Sequence, residues 1–427
     1  MINAENIKSV RLGDVSLKIG SGATPRGGKE VYLSNGRTSF IRSQNIYNNR
    51  FEKSGLVYLT DEQAKDLSNV EIISADVLLN ITGDSVARVC QVPESALPAR
   101  VNQHVSIIRP DSKRLDARFL QYVLVSSEMQ NKMLSLASSG ATRNALTKGM
   151  IENFIIPFPP LSEQKAVTAI LGALDDKIEL NRRTNATLEV MTRALFKSWF
   201  VDFDPVRAKM EGHQPFGMDS TTAALFPSSL QDDGIPEGWE VLPLKEAVSF
   251  FNSKRVPLSS HERAERKGPY RYFGATSIMD YVDGYLFDGV YVLVGEDGSV
   301  ATEHGLPFLQ YVWGKFWVNN HAHVLQGKNG WSAEALYLLL AQSNVRHLVT
   351  GAVQPKLSMG NLSRLAFTNP SRAILDKFCS MIDPYFSKHR ALCDEIGSLE
   401  KLRDYLLPKL ISGDIRIRDA GKFVEII

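Results

Sequence analysis

Cysteine is nearly absent from this chain, with three residues (Cys90, Cys379 and Cys393) in 427. Three thiols this far apart cannot build a disulfide framework, and they lack the paired spacing of a zinc site. Cys379 and Cys393 fall on one face of a helical pattern and read as small core residues. An excess of one charge is missing too: 49 Lys+Arg against 47 Asp+Glu leave a net +2. The balance also holds locally, at 19 against 15 in residues 1–160 and 12 against 12 in residues 235–370. If nucleic acid is the ligand, the basic surface must be a patch rather than a whole-domain field. No apolar run is long enough to span a bilayer. The start of the chain has no basic stretch followed by an apolar one, so a cytoplasmic location is expected. What is present is ordinary globular composition, 44% hydrophobic and 22% charged, at a length that suggests two to four domains.

Recognisable catalytic chemistry is scarce as well. The stretch Gly22 to Gly28-Lys29 is one residue too long for a phosphate loop and is followed by Glu30, while Gly314-Lys315 lacks the earlier glycine and the hydroxyl. Pro110-Asp111 has no nearby acid-x-Lys to complete a metal-dependent nuclease site; Glu163-Gln164-Lys165 is distant and opens a predicted helix. Asp383-Pro384-Tyr385 and Asn369-Pro370-Ser371 each miss part of the tetrapeptide that an adenine-methylating enzyme needs. His321 and His323 would share a strand face, but no third ligand accompanies them. No metal or cofactor is expected, and an enzyme is disfavoured.

Against these absences stands a long internal repeat. Gly140-Ala141-Thr142-Arg143-Asn144-Ala145-Leu146-Thr147 returns 211 residues later as Gly351-Ala352-Val353-Gln354-Pro355-Lys356-Leu357-Ser358. The same offset carries Leu188 onto Leu399, Leu195 onto Leu406, Phe196 onto Leu407 and Trp199 onto Leu410. Upstream, Val101-Asn102-Gln103-His104 matches Val318-Asn319-Asn320-His321, Asp84-Ser85-Val86-Ala87 matches Gly298-Ser299-Val300-Ala301, and Leu12 matches Leu244. The unit is far too long for a solenoid repeat. A duplicated domain-plus-helix suggests pseudo-twofold symmetry, suited to a partner with two related halves such as duplex DNA.

The pattern predicts an α+β chain. Residues 1–160 read as strands (Thr38–Arg42, Val77–Thr82, Val101–Arg109) with a helix over Ala117–Leu136, ended by Pro157-Phe158-Pro159-Pro160. Residues 161–205 form a long helix, with Ser162 as N-cap and a seam of Val167, Ile170, Leu174, Ile178, Leu188, Met191, Leu195 and Trp199. Asn181 and Asn185 interrupt that seam. Residues 206–234 read as a linker. Residues 235–370 form a second strand-rich domain, with strands at Val290–Val294, Phe316–Val318 and His323–Gln326 and a helix over Ala333–Val349. Within residues 371–427 a second long helix runs from Ala373 to Leu407, kinked at Pro384 and ended near Pro408. Its seam comprises Phe378, Met381, Tyr385, Leu392, Ile396, Leu399, Leu402, Leu406 and Leu410. Two such rods can pair antiparallel as a coiled coil and separate the two domains.

Several segments carry a family resemblance. Ile156-Pro157-Phe158-Pro159-Pro160-Leu161-Ser162-Glu163-Gln164, Leu174-Asp175-Asp176-Lys177-Ile178 and Trp199-Phe200-Val201-Asp202-Phe203-Asp204-Pro205-Val206 belong to the first copy. Leu407-Pro408-Lys409-Leu410-Ile411-Ser412-Gly413-Asp414 ends the second. Together with Gly22-Ala23-Thr24-Pro25 and Val101-Asn102-Gln103-His104, they resemble specificity subunits of type I restriction–modification systems. The resemblance implies a non-catalytic subunit whose two target-recognition domains each read half of a split DNA sequence. It also implies docking of two modification (methyltransferase) subunits on the rods, joined by restriction (translocase-nuclease) subunits. One departure is visible: Asn369-Pro370-Ser371-Arg372 replaces the Pro-Pro-Leu-x-Glu-Gln block in the second copy, so the second rod should be entered differently.

A DNA reader needs side chains for base edges and others for phosphates. The first domain offers Thr24, Arg26, Arg42, Gln44, Asn45, Asn80, Thr82, Ser85, Arg88, Gln103, Arg143 and Asn144 in predicted turns or near strand ends. The second offers Lys254, Arg255, Arg271, Thr276, Ser277, Ser299, Asn320, Gln354 and Lys356. Such residues beside glycine also simply cap turns. Asn102 and Asn319, shared by domains that should read different sequences, point to scaffold. Arg263, Arg266 and Lys267 alternate with Glu262 and Glu265, as on a solvated helix face. On the rods, Asp175, Lys177, Arg182, Arg183, Arg193 and Lys197 flank the seam and are the expected docking residues. The competing reading is a coiled-coil adaptor that contacts no DNA.

Overall fold

The computed structural model describes residues 8–138, 144–351 and 353–415. The chain divides into two compact units, one comprising Met1–Leu180 with Glu395–Ile427 and the other Asn181–Asp394. Each unit holds one mixed α/β domain and part of both long helices.

The two domains share one topology. In the first, Ser9–Arg11 pairs antiparallel with Ile155–Pro157. One four-stranded sheet then runs in the order Ser16–Ser21, Val105–Pro110, Val77–Asn80, Val89–Gln91. The other runs Val57–Leu59, Thr38–Ile41, Ala99–Val101, Glu71–Ile72. In the second domain the ribbon is Glu240–Pro243 with Ala366–Asn369. Its sheets run Val248–Phe250, Ala322–Gly327, Tyr291–Gly295, Leu309–Val312, and Ile278–Val282, Lys267–Phe273, Lys315–Val318, Phe287–Asp288. Even the parallel pairing recurs, Thr38–Ile41 with Ala99–Val101 and Lys267–Phe273 with Lys315–Val318. Central strands such as Val77–Asn80 and Tyr291–Gly295 are buried along their whole length and read as continuous apolar runs.

The long helices are Leu161–Phe200 and Arg372–Ile411, 40 residues each and about 60 Å at 1.5 Å per residue. Within the first unit, Val167, Leu171, Leu174 and Ile178 join Leu399, Leu406, Leu407 and Leu410 in one core. Asp175 meets Arg403 at 2.9 Å and Lys177 meets Glu395 at 3.2 Å, so the partner's numbering falls as the first helix's rises: the packing is antiparallel. The second unit repeats the sense, with Asn185 Nδ2 donating to Cys393 Sγ at 3.3 Å and Phe196 against Phe378 at 5.7 Å.

Several expectations need correction. The helix over Ala117–Leu136 is two, Ala117–Val125 and Ser127–Ser138, because Ser126 adopts extended geometry. The first rod starts at Leu161, where the Pro160 carbonyl accepts from Glu163 N and Gln164 N, so Ser162 lies inside the first turn and is not the N-cap. The second rod passes Pro384 and Pro408 without ending; Pro384 sits on the exposed side of the helix, away from its packed seam. Val101–Arg109 is two strands around a turn at Asn102–His104. Ala333–Val349 shortens to Ala333–Leu340 with a separate turn at Arg346–Leu348. The linker contains Asp204–Met210 and Ser220–Ala224 as short helices. Met191, expected on the seam, is 47% exposed, and Thr192 is buried instead. Of the cysteines, Cys90 is buried and its thiol is pushed up to about 12, whereas Cys379 and Cys393 are only partly buried.

The second rod's different entry has a physical account. Gln164 is fully buried and its amide ties the first rod to its domain, donating to Arg114 O (3.1 Å) and Pro159 O (2.9 Å) and accepting from Asp116 N (2.8 Å). The repeat places Leu375 at that position, and it packs in the apolar core with Ile374 and Phe378. An amide clasp in one copy is a hydrophobic plug in the other.

Candidate nucleic-acid interface

In the first domain several turns converge where strands Thr38–Ile41, Val77–Asn80 and Ala99–Val101 end. Gly22 N donates to Val105 O, Ala23 N to Val101 O, Asn102 N to Ile41 O, Ile81 N to His104 O and Gly83 N to Asn144 O, all within 3.2 Å. Gly22 has no room for a side chain, since a Cβ there would lie 2.1 Å from Val101 O. This brings Thr24, Arg42, Thr82, Gln103 and Asn144 onto adjoining turns, with Arg26 and Gln44 exposed beside them. Asn102 Oδ1 accepts from His104 N at 3.2 Å, which pins the turn and presents Gln103 and His104 outward. Thr82 Oγ1 bonds His104 Nδ1 at 2.7 Å.

Two expected readers are placed differently. Asn45 and Asn80 are fully buried rather than facing solvent. Asn45 accepts from Arg42 N and donates to Glu52 O, and Asn80 donates to Ser43 O, so both hold the edge together. Arg42 is half-buried, donates to Gly55 O at 2.6 Å and lies over Tyr32. Ser85 and Arg88 are half-exposed, and Arg88 lies over the Tyr47 ring. Arg143 lies outside the described residues.

The second domain builds the same edge. Asn319 N donates to Phe273 O, Glu296 N to His321 O and Leu357 N to Glu296 O, and Asn319 Oδ1 accepts from His321 N at 2.8 Å. Thr276, Ser277, Ser299, Asn320, Gln354 and Lys356 are exposed on it, with Lys254 nearby over Phe251. Arg255 and Arg271 turn inward. Arg255 donates to Glu296 at 2.6 Å and Ala322 O at 2.7 Å. Arg271 donates to Trp313 O and lies over Trp313; burial pulls its pKa down.

The two edges differ in charge. Glu296 and Asp297 stand where the first domain has Ile81 and Thr82, since Ile81 N bonds His104 O as Glu296 N bonds His321 O, and Thr82 bridges Ala145 as Asp297 bridges Lys356. Lys356 pairs with Asp297 at 3.2 Å and Glu296 at 3.5 Å, and the bond to Asp297 raises its pKa. His323 beneath is completely buried; Nε2 donates to Leu357 O (2.7 Å) and Nδ1 accepts from Asn252 Nδ2 (2.9 Å). That tautomer is neutral, in keeping with burial lowering its pKa. Among the described residues, no cluster of His, Cys, Asp and Glu could hold a metal. Arg263, Arg266 and Lys267 are paired with Asp280 and Asp283.

Sequence reasoning missed His104, His321, Glu296 and Asp297 as residues of these edges. The recurring Asn-x-His was a usable signal for the histidines. The carboxylates gave none, because only the fold carries them to the edge.

On the rods, the Asp175 carboxylate is occupied by Tyr122 OH (2.6 Å) and Arg403 (2.9 Å), and Lys177 pairs with Glu395. Arg193 contacts Glu189 at 2.8 Å and lies over Tyr337; Lys197 bonds Asp202. Arg182 is half-exposed and Arg183 exposed.

Two domains of one topology, each with a polar edge of pinned turns and joined to paired long helices, define a duplicated recognition subunit. The family model described as type I restriction modification DNA specificity domain matches residues 4–190 and again 236–388, and the chain belongs to that family. It resembles the HindI specificity subunit of Haemophilus influenzae, at 24% identity over 88% of this chain and 94% of the relative. It also resembles the MjaIX specificity subunit of Methanocaldococcus jannaschii, at 25% identity over 70% and 69%. The solved S subunit of a type I system from M. genitalium shares the fold, with TM-score 0.56 and 17% identity over 96% of this chain and 97% of that one. The chain is thus a DNA-specificity subunit of a type I restriction–modification system, and its part in that system is recognition rather than catalysis. Among the described residues, no helix is long and apolar enough to cross a membrane.

Proposed function

We propose that each domain (1–160 and 235–370) reads one half of a bipartite DNA target through its edge of converging turns. The single observation that carries this reading is the duplicated Asn102 and Asn319 turn. Each pins the turn from within and leaves neighbouring side chains, different in the two copies, to face a ligand. Different side chains on one scaffold are what two half-site readers require. In the first edge Thr24, Arg26, Gln44, Thr82, Gln103 and Asn144 are suited to base edges and phosphates. In the second Thr276, Ser277, Asn320, Gln354 and Lys356 serve, with Asp297 able to accept from an exocyclic amine of cytosine or adenine. The helices within 161–205 and 371–427 set the spacing of the half-sites. They dock two modification subunits near Arg182 and Arg183, and restriction subunits complete a cytoplasmic complex. The test is genome-wide mapping of adenine methylation with and without this chain. A split motif that disappears on deletion supports the reading; an unchanged methylome would favour the adaptor that contacts no DNA.

A further inference from the structure

A short hairpin in the first domain, Ile46–Tyr47 paired with Arg50–Phe51, has no counterpart among the described residues of the second. Its turn is fastened to the domain by its two asparagines. Asn48 Oδ1 accepts from Val89 N at 3.0 Å, and Asn49 Oδ1 accepts from Gln121 Nε2 at 2.9 Å. Asn49 takes a left-handed conformation (φ 58°), which asparagine tolerates better than most residues. So fastened, the hairpin brings the Tyr47 ring against two guanidiniums, Arg50 at 4.7 Å and Arg88 at 4.6 Å from its centre.

Two like charges at one ring repel each other, and little nearby offsets them. Glu52 reaches Arg50 only at 3.9 Å and is itself partly exposed; among the described residues no carboxylate pairs with Arg88. Both guanidiniums reach solvent, so two positive charges at one ring are open to an anion from outside. Arg88 leads directly from the candidate reading edge, because Asn80 N donates to Arg88 O. A guanidinium resting against an aromatic ring can still offer its N–H groups to a phosphate.

We infer that Arg50 and Arg88, stacked on Tyr47, clamp the DNA backbone beside the first half-site by binding phosphodiester oxygens, without reading bases. This rests on the proposed DNA-reading function and adds an asymmetry to it: the first domain grips the backbone with a device that the second lacks.

The experiment uses the chain assembled with its modification subunits. Affinity is measured against salt concentration for a duplex carrying the mapped motif and for a scrambled duplex of equal length. Arg50→Ala/Arg88→Ala should weaken both duplexes by similar factors and flatten the slope of log K against log salt by about 0.9 for each phosphate no longer neutralised. The methylated motif should stay the same. Tyr47→Ala should weaken both duplexes as well, since it removes the platform. Arg50→Lys/Arg88→Lys, which keeps both charges, should retain most of the slope and serves as the folding control. An unchanged slope in the double alanine variant, with motif discrimination intact, overturns the clamp. A changed first half of the motif overturns it too, since these residues would then be reading bases. If the wild-type complex does not distinguish the two duplexes, the DNA-reading function fails, while the scrambled-duplex slope still tests the clamp.

Discussion

Asn102 and Asn319 make the same bond in two domains, each accepting the N–H two residues on and so closing the turn that carries Gln103 or Asn320. Removing that acceptor leaves a part-buried donor unpaired, so Asn102→Ala and Asn319→Ala should each cost about 1 kcal/mol by urea denaturation. The neighbours should behave oppositely. Gln103→Ala and Asn320→Ala remove exposed side chains, so stability should stay within about 0.5 kcal/mol, while methylation of the corresponding half-site falls. A large stability loss at Gln103 with no change in methylation would reverse the assignment of the two positions. This division was legible in the sequence because a residue shared by two differing readers belongs to the scaffold. The burial of Asn45 and Asn80 was not legible. Turn-forming asparagines look alike in sequence whether their amides bond backbone or face water, and only the neighbouring chain decides.

At the scale of elements, the two long helices and a few buried central strands could be read from the sequence, because a 40-residue amphipathic pattern and short apolar runs leave strong signatures, while most of the short strands could not. Their ends could not. Pro384 and Pro408 stay inside the second helix because the packing along its seam, Phe378 to Phe386 at one end and Leu399 to Leu410 at the other, outweighs the local cost of a proline, and sequence alone does not weigh the two. The clasp at Gln164 is a similar case: the loss of the Glu-Gln pair in the second copy was visible, but not that one position bonds and the other, Leu375, packs. Each solution should be incompatible with its counterpart. Gln164→Leu leaves Asp116 N and the Arg114 and Pro159 carbonyls without their partner, in buried and part-buried positions, and should cost about 1–3 kcal/mol. Leu375→Gln buries an amide among Ile374, Phe378 and their neighbours and should cost a similar amount, about 1–3 kcal/mol. Chemical denaturation of both variants checks this, and a neutral Gln164→Leu would show that the amide clasp contributes nothing.

For the whole molecule, duplication is the fact from which modular behaviour follows. If the domains read independently, exchanging residues 1–155 for the matching domain of a relative should change one half of the methylated motif and leave the other intact. A change in both halves would show that the readers are coupled. The helices make a separate demand. Should they set the distance between half-sites, one heptad inserted after Asn185 and another at its repeat partner Ile396 keep the seam in register and lengthen the pair by about 10 Å. At about 3.4 Å per base pair, the preferred spacer should grow by roughly three base pairs. Three base pairs also turn the second half-site around the duplex axis, so overall affinity should drop even as the preferred spacing lengthens. Spacer preference is read from a library of duplexes in which the two half-sites are held constant and the gap varies. An insertion variant that still assembles with its modification subunits and still prefers the original gap would remove the helices from the role of ruler.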